Sequence, residues 1–294
     1  MAEQQVQRRF TDRKDGRRLR TISPIFQLSP YTMTEPGDAL CSFTDSADMS
    51  AIETWLRARR RDGDETTGLI HIVIAAYVRT LALRPAMNRF VSGRYIFARD
   101  TIDVVLPAGG GVADAGGMSV TVRFLPTDTV FDVVRKIGAQ ADNLKADQSS
   151  DRVERLAATL VKTPRFVLRT AVRVMKWLDY HGWLNQGLMG KSPFHGSAII
   201  SDEGAFHLPP IQRSINRLGN VPVCLSAGRL RVVTEIDKEN RDIVDHHYMD
   251  YAVTYDSRIA DPAYIGSAFR CFRQLLADPE LLETPPDGVN TDTV

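Results

Sequence analysis

The chain has 294 residues, enough for one large domain or two small ones. Its 43% hydrophobic and 25% charged residues match a globular protein and exclude a collagen-like, coiled-coil or wholly disordered chain. Lysine plus arginine (37) nearly balances aspartate plus glutamate (36), so the formal charge is +1, without the basic excess of a nucleic-acid binder.

Residues 1–20 carry Arg8, Arg9, Arg13, Lys14, Arg17, Arg18 and Arg20 against Glu3, Asp12 and Asp15. They read as a flexible basic arm, either solvated or clamping a neighbouring subunit or a phosphate. The first ten residues lack the apolar core of a signal peptide. No run of about 18 uncharged apolar residues follows, so a cytoplasmic protein without a spanning helix is expected. Cys41, Cys224 and Cys271 are odd in number, far apart and form no CxxC pair, so neither a disulfide framework nor a zinc site is expected.

One domain is expected over 21–282. Asp48 or Ser50 can cap a helix through AIETWLRARR. Thr67 opens a more buried helix that Pro85 must end. RYIFAR, TIDVVLPA and the alternating MSVTVRFL read as strands, and Gly109-Gly110-Gly111 as a turn. Thr127 or Asp128 caps a helix to about Leu144, and 150–190 is mostly helical by periodicity. Within it, 164–178 sets Arg165, Arg169, Arg173 and Lys176 on one face. That helix covers the domain's core with its charges in water, or lies on an anionic membrane surface. HGSAIIS, PVCLSAGRL, RVVTEI and YMDYAVTY are strands, and a last helix follows Asp261-Pro262. Residues 283–294, Pro-rich and acidic, read as a disordered tail. Strands and helices alternate without clean βαβ units, which predicts a mixed α/β sandwich, not a Rossmann fold.

Three separated segments carry a resemblance. A buried helix ends in Arg84-Pro85-Ala86-Met87-Asn88. A strand reads Ala198-Ile199-Ile200-Ser201-Asp202-Glu203-Gly204. A loop, Tyr255-Asp256-Ser257-Arg258-Ile259-Ala260-Asp261, leads into a helix ending Asp278-Pro279-Glu280-Leu281-Leu282. Together they resemble the superfamily that joins chloramphenicol acetyltransferase to the catalytic domains of dihydrolipoamide acyltransferases, in its standalone form without a lipoyl domain. The resemblance implies an α/β fold, a mixed-sheet two-layer sandwich, with an extra helical segment near 150–190. It also implies a homotrimer with active sites between subunits. The activity implied is acyl transfer from a thioester, with acyl-CoA as co-substrate, no bound cofactor and an unidentified small-molecule or carrier acceptor.

In the resembling enzymes a histidine takes the acceptor's proton, a serine steadies the oxyanion, and an arginine and an aspartate hold the loop. Ser201 matches the serine, Arg258 the arginine and Asp261 the aspartate. Ser257 stands where the family has its histidine, and Pro262 where it has a glycine. A serine hydroxyl accepts no proton at neutral pH, so a second reading is an inactive binding or scaffold protein with this fold, with 164–178 at a membrane surface. Six histidines exist to replace the base. His207 and His181 are the candidates to mutate, while His71, His195, His246 and His247 read as structural. His246 and His247 lie about 33 Å from Ser257 along the strand, and His195 about 20 Å from Ser201. Adjacent His246 and His247 point to opposite faces of a strand and suggest no metal site.

Overall fold

The computed structural model describes residues 9, 12–107, 119–146, 163–185, 187, 192–216, 218–236 and 243–292. The Gly109–Gly111 turn, residues 150–162, 186 and 188–190 of the helical piece expected near 150–190, and most of the first eleven residues lie outside them. In chain order come β1 (Gly16–Arg18), α1 (Pro24–Thr32), β2 (Leu40–Asp48), α2 (Ser50–Arg61) and α3 (Leu69–Leu83). Four short strands follow, β3 (Arg89–Ser92), β4 (Tyr95–Arg99), β5 (Ile102–Pro107) and β6 (Ser119–Phe124), then helices α4 (Val130–Ala146) and α5 (Arg165–Tyr180). The last elements are β7 (Ala198–Asp202), β8 (Val223–Ile236), β9 (Ile243–Asp256) and α6 (Pro262–Ala277).

Local chemistry sets the helix starts. Thr67 donates its hydroxyl to Asp64 at 2.6 Å and stays outside α3. Gly68 precedes the helix instead, its N–H donating to His71 Nδ1 at 2.9 Å. Before α4 the cap is Thr129, whose N–H donates to the Asp132 carboxylate at 3.1 Å while its hydroxyl oxygen accepts from Asp132 N at 3.3 Å. Asp128 accepts from Leu125 N and Lys136 instead.

Six strands form the main sheet in the order β2-β9-β8-β7-β5-β6. Strand β7 runs parallel to β5 and β8, and the remaining pairs are antiparallel. The other three form a small sheet, β1-β4-β3. Ala198, Ile200, Val223, Leu225, Tyr251 and Val253 share one core with α2, α3 and α6, so the helices stand on one face. Helix α3 is buried on all sides from Ile72 through Val78, a wholly apolar run, as a central helix requires. This is the mixed two-layer α/β arrangement that the sequence predicts.

Three expectations are corrected. Residues 12–20 are no loose arm. Strand β1 pairs with β4, and Arg13 is 7% exposed among acidic partners. Its Nε donates to Asp15 at 2.8 Å, its Nη2 to Asp179 at 2.9 Å and its Nη1 to Ser92 at 2.7 Å. The tail is held as far as residue 292: Arg89 grips Asp292 with two 2.6 Å bonds, and Asn290 N donates to the Ala82 carbonyl at 2.9 Å. Helix α5 does not cover the core with its apolar side, because Phe166, Val167, Leu168, Val174 and Trp177 are exposed. Its one buried residue is Asp179. No helix among the described residues is long and apolar enough to cross a membrane.

Candidate active site

Strand alternation sends Ser201 to the sheet face away from the helices, because its neighbour Ile200 points into the core. Ser201 pairs with Ser226 on β8, which pairs with Ala252 on β9. One row along, Ile199, Cys224 and Thr254 share that face. The segment around 210–212 crosses it: Ile211 N donates to Ser226 Oγ at 2.9 Å, and Ser42 Oγ to Gln212 at 3.1 Å. Ser201 is 4% exposed beneath it, and its Oγ is buried without a hydrogen-bond partner. Such a hydroxyl costs stability and is free to donate to something the chain does not itself supply. Cys224, on the same face, is a poor nucleophile, since burial pushes its thiol up to about 11.

The loop after β9 is held by Arg258. Its Nε donates to both Asp256 oxygens at 2.8 and 3.1 Å, and its Nη1 to the Met33 carbonyl at 2.8 Å. With 4% exposure and those partners, Arg258 is a clamp on the loop. Asp261 accepts from Tyr264 N at 2.7 Å, which makes it the cap of α6. Ser257 N donates to the Ala39 carbonyl at 2.8 Å, tying the loop to the start of β2.

One chain does not bring these groups together. Ser201 shares a row with Ala252, five residues before Ser257 and two strands away. That is about 17 Å along β9 and about 10 Å across the sheet.

The histidines distribute differently from the sequence reading. After β7 the turn at Gly204–Phe206 reverses the chain and leaves His207 at φ 59°. His207 then lines a cavity of about 670 Å³ with Asp202, Gly228, Arg229 and Arg231. His181 instead packs against Trp177, Tyr180 and Trp183 at the end of α5. Burial lowers the pKa of His71, whose Nδ1 is occupied by Gly68. His246 and His247 reach Asp48 at 3.2 Å and Glu53 at 2.6 Å. Among the described residues no cluster suited to a metal ion occurs.

His195 lies at the same end of the sheet as Ser257. Phe194 O accepts from Asn220 N, and Pro222 O accepts from Asp256 N, both at 2.9 Å. Its ring is 6% exposed, with Nδ1 2.9 Å from Ser192 Oγ and Nε2 3.4 Å from Asp179. The sequence reading missed Ser192 and Asp179. The spacing Ser192-x-x-His195 was visible, but Asp179 lies in a different element with nothing local to mark it.

No protein-family profile and no curated protein sequence matches the chain. Solved structures do. A probable dihydrolipoamide acetyltransferase from Listeria monocytogenes superposes with a TM-score of 0.54 at 13% identity, over 89% of this chain and 94% of that one. The truncated catalytic core of the 2-oxoacid dehydrogenase complex from Thermoplasma acidophilum gives 0.53 at 12% identity, over 89% and 98%. The cubic core of a pyruvate dehydrogenase complex gives 0.51 at 12% identity, over 90% and 94%. The chain has the fold of these acyltransferase cores, and at such identities the likeness speaks for the fold alone.

Proposed function

We infer that this protein is an acyltransferase that takes the acyl group of a thioester, acyl-CoA, and passes it to a thiol, hydroxyl or amine acceptor. The observation that carries the reading is the buried, unpartnered Ser201 Oγ, on a fold shared with acetyltransferase cores. A preorganised hydroxyl donor of this kind steadies the oxyanion of a tetrahedral intermediate. A cavity past the end of β7, which Ser201 itself does not line, carries Arg229 and Arg231 beside Asp202 and offers cationic groups to an anionic co-substrate. The separation of Ser201 from the Ser257 loop favours a site completed between subunits, and hence a homotrimer.

The test is thiol release from a panel of acyl-CoAs by the wild type and by Ser201→Ala. Turnover should fall by about 10²–10³-fold in the variant. Stability should stay level or rise slightly, because the lost hydroxyl had no partner. Equal turnover in both proteins would remove Ser201 from the chemistry.

Ser257 favours a second reading, an inactive binding protein of the same fold, with 164–178 resting on a membrane surface. A thermal shift of a few degrees with acyl-CoA at about 100 times its Kd, without any turnover, would establish that reading. No shift and no turnover would sink both as acyl-CoA proteins.

A further inference from the structure

At the Ser257 end of the sheet, three groups outside the segments that carry the resemblance stand close together. Ser192 Oγ is 2.9 Å from His195 Nδ1, and His195 Nε2 is 3.4 Å from Asp179 Oδ1. A hydroxyl, an imidazole and a carboxylate in this order are the parts of nucleophilic acyl chemistry, recognised by geometry and not by chain position.

The proton arrangement follows from the surroundings. Asp179 is 9% exposed and held by Arg13 Nη2 at 2.9 Å, so it is an oriented carboxylate. It faces Nε2, which has no closed hydrogen bond in a ring that is 6% exposed. A carboxylate there favours the tautomer with hydrogen on Nε2 and leaves Nδ1 bare. The Phe194 N–H donates to Ser192 Oγ at 3.3 Å, which turns the hydroxyl hydrogen toward Nδ1. The 3.4 Å gap is of the kind that closes when substrate binds.

Beside the trio lies a cavity of about 170 Å³ walled by Met175, Leu184, Phe194 and Leu218. An apolar cavity of about 150 Å³ holds a benzene-sized molecule, so this one suits an acyl chain of about six carbons or fewer.

We propose that Ser192, His195 and Asp179 form a nucleophilic site that takes a short acyl group from an activated ester or thioester onto Ser192. Ser192 Oγ forms a bond to the acyl carbon while the bond to the leaving thiolate or alkoxide breaks. The serine proton passes to His195 Nδ1 and from there to the leaving group. Water then attacks the acyl carbon, gives one proton to Nδ1 and on to Ser192 Oγ, and a carboxylic acid departs. Ser192 and His195 are the catalytic pair, and Asp179 is a positioning residue. The proposal does not depend on Ser201 or on CoA.

The experiment treats the full chain with a fluorophosphonate and, separately, with p-nitrophenyl butyrate and p-nitrophenyl dodecanoate. One adduct on Ser192 by peptide mass spectrometry is expected, with a nitrophenolate burst of about one equivalent from the butyrate and little from the dodecanoate. Ser192→Ala should abolish both signals, and His195→Gln should slow labelling by about 10²-fold or more. Asp179→Glu should regain part of the rate lost in Asp179→Asn, which a purely structural carboxylate would not produce. The wild-type adduct requires no variant to fold. Folded wild-type protein that takes no label at Ser192, or a His195→Gln variant labelled as fast as wild type, overturns the proposal. Either result leaves the Ser201 reading untouched, since that is measured with acyl-CoA.

Discussion

Replacing Arg13 by alanine is expected to lower stability by about 3–5 kcal/mol, the cost of leaving buried charges without their partner. Arg13 is 7% exposed and sits between two carboxylates, Asp15 at 2.8 Å and Asp179 at 2.9 Å. Burial raises the Asp15 carboxyl, and the Arg13 hydrogen bond and charge more than reverse it, leaving it below the ordinary range. For Asp179, burial again raises the group, and His195 and Arg13 together bring it below. Both folded values are depressed, so their contribution is complete above the unfolded carboxylate value of about 3.9 and fades as pH falls through the folded values. The gap in Tm between wild type and Arg13→Ala should therefore be widest at neutral pH and shrink below about pH 4. Adding Asp179→Asn to Arg13→Ala should recover part of the loss, because one stranded charge is removed. An Arg13→Ala protein that melts with the wild type at pH 7 would mean that residues 12–20 are not fastened to the body.

Gly219→Ala is expected to cost at least about 3 kcal/mol, combining a disfavoured backbone with a collision. Gly219 has φ of 98°, where an L side chain is strained, and a Cβ there would overlap the Phe194 carbonyl and its Cβ. That carbonyl accepts from Asn220 N at 2.9 Å, so the crowded neighbour is the backbone that carries His195. A chain of this size should lose roughly 6–10 °C of Tm, and labelling at Ser192 should fall with it. Gly266 is the control. It lies in α6 with nothing within 4 Å of an added Cβ, so Gly266→Ala should hold or gain up to about 1 kcal/mol. Equal melting of the two variants would refute the close approach of 219 to 194.

The sequence exposes whatever is written in local pattern. Strand β6 follows from alternation, β4 and β5 from short β-rich apolar runs, α3 from its apolar run before Pro85, and the α6 start from Asp261-Pro262. Strand β2 is missed although Cys41, Phe43 and Ala47 alternate with Ser42, Thr44 and Ser46, because Asp45 interrupts the apolar side of a strand at the sheet edge. The fold as a whole is legible through three short segments that carry a resemblance. What sequence conceals is pairing at a distance. Arg13 reads as one more surface arginine because Asp179 lies 166 positions away. Asp292 reads as tail because Arg89 is 203 positions away. The orphaned state of Ser201 follows from burial that no local pattern announces, and the unexpected nearness of His195 to the Ser257 end depends on how three strands are laid side by side.

Strands β8 and β9 outrun the rest of the sheet. Strand β2 pairs with β9 only as far as Tyr248, so Val232–Ile236 and Ile243–His247 continue as a two-stranded ribbon with Val232, Ile236 and Ile243 exposed. A two-stranded ribbon is marginally stable by itself in water, whereas the inner parts of the same strands lie in the middle of a six-stranded sheet. One strand thus holds two regimes of opening. Amides at 223–227 should exchange with deuterium only on unfolding of the whole domain, and those at 232–236 on local fraying many times faster. The register break between Ala227 and Leu230 marks the border between them. Protection of the outer amides is therefore a direct gauge of anything that grips the ribbon.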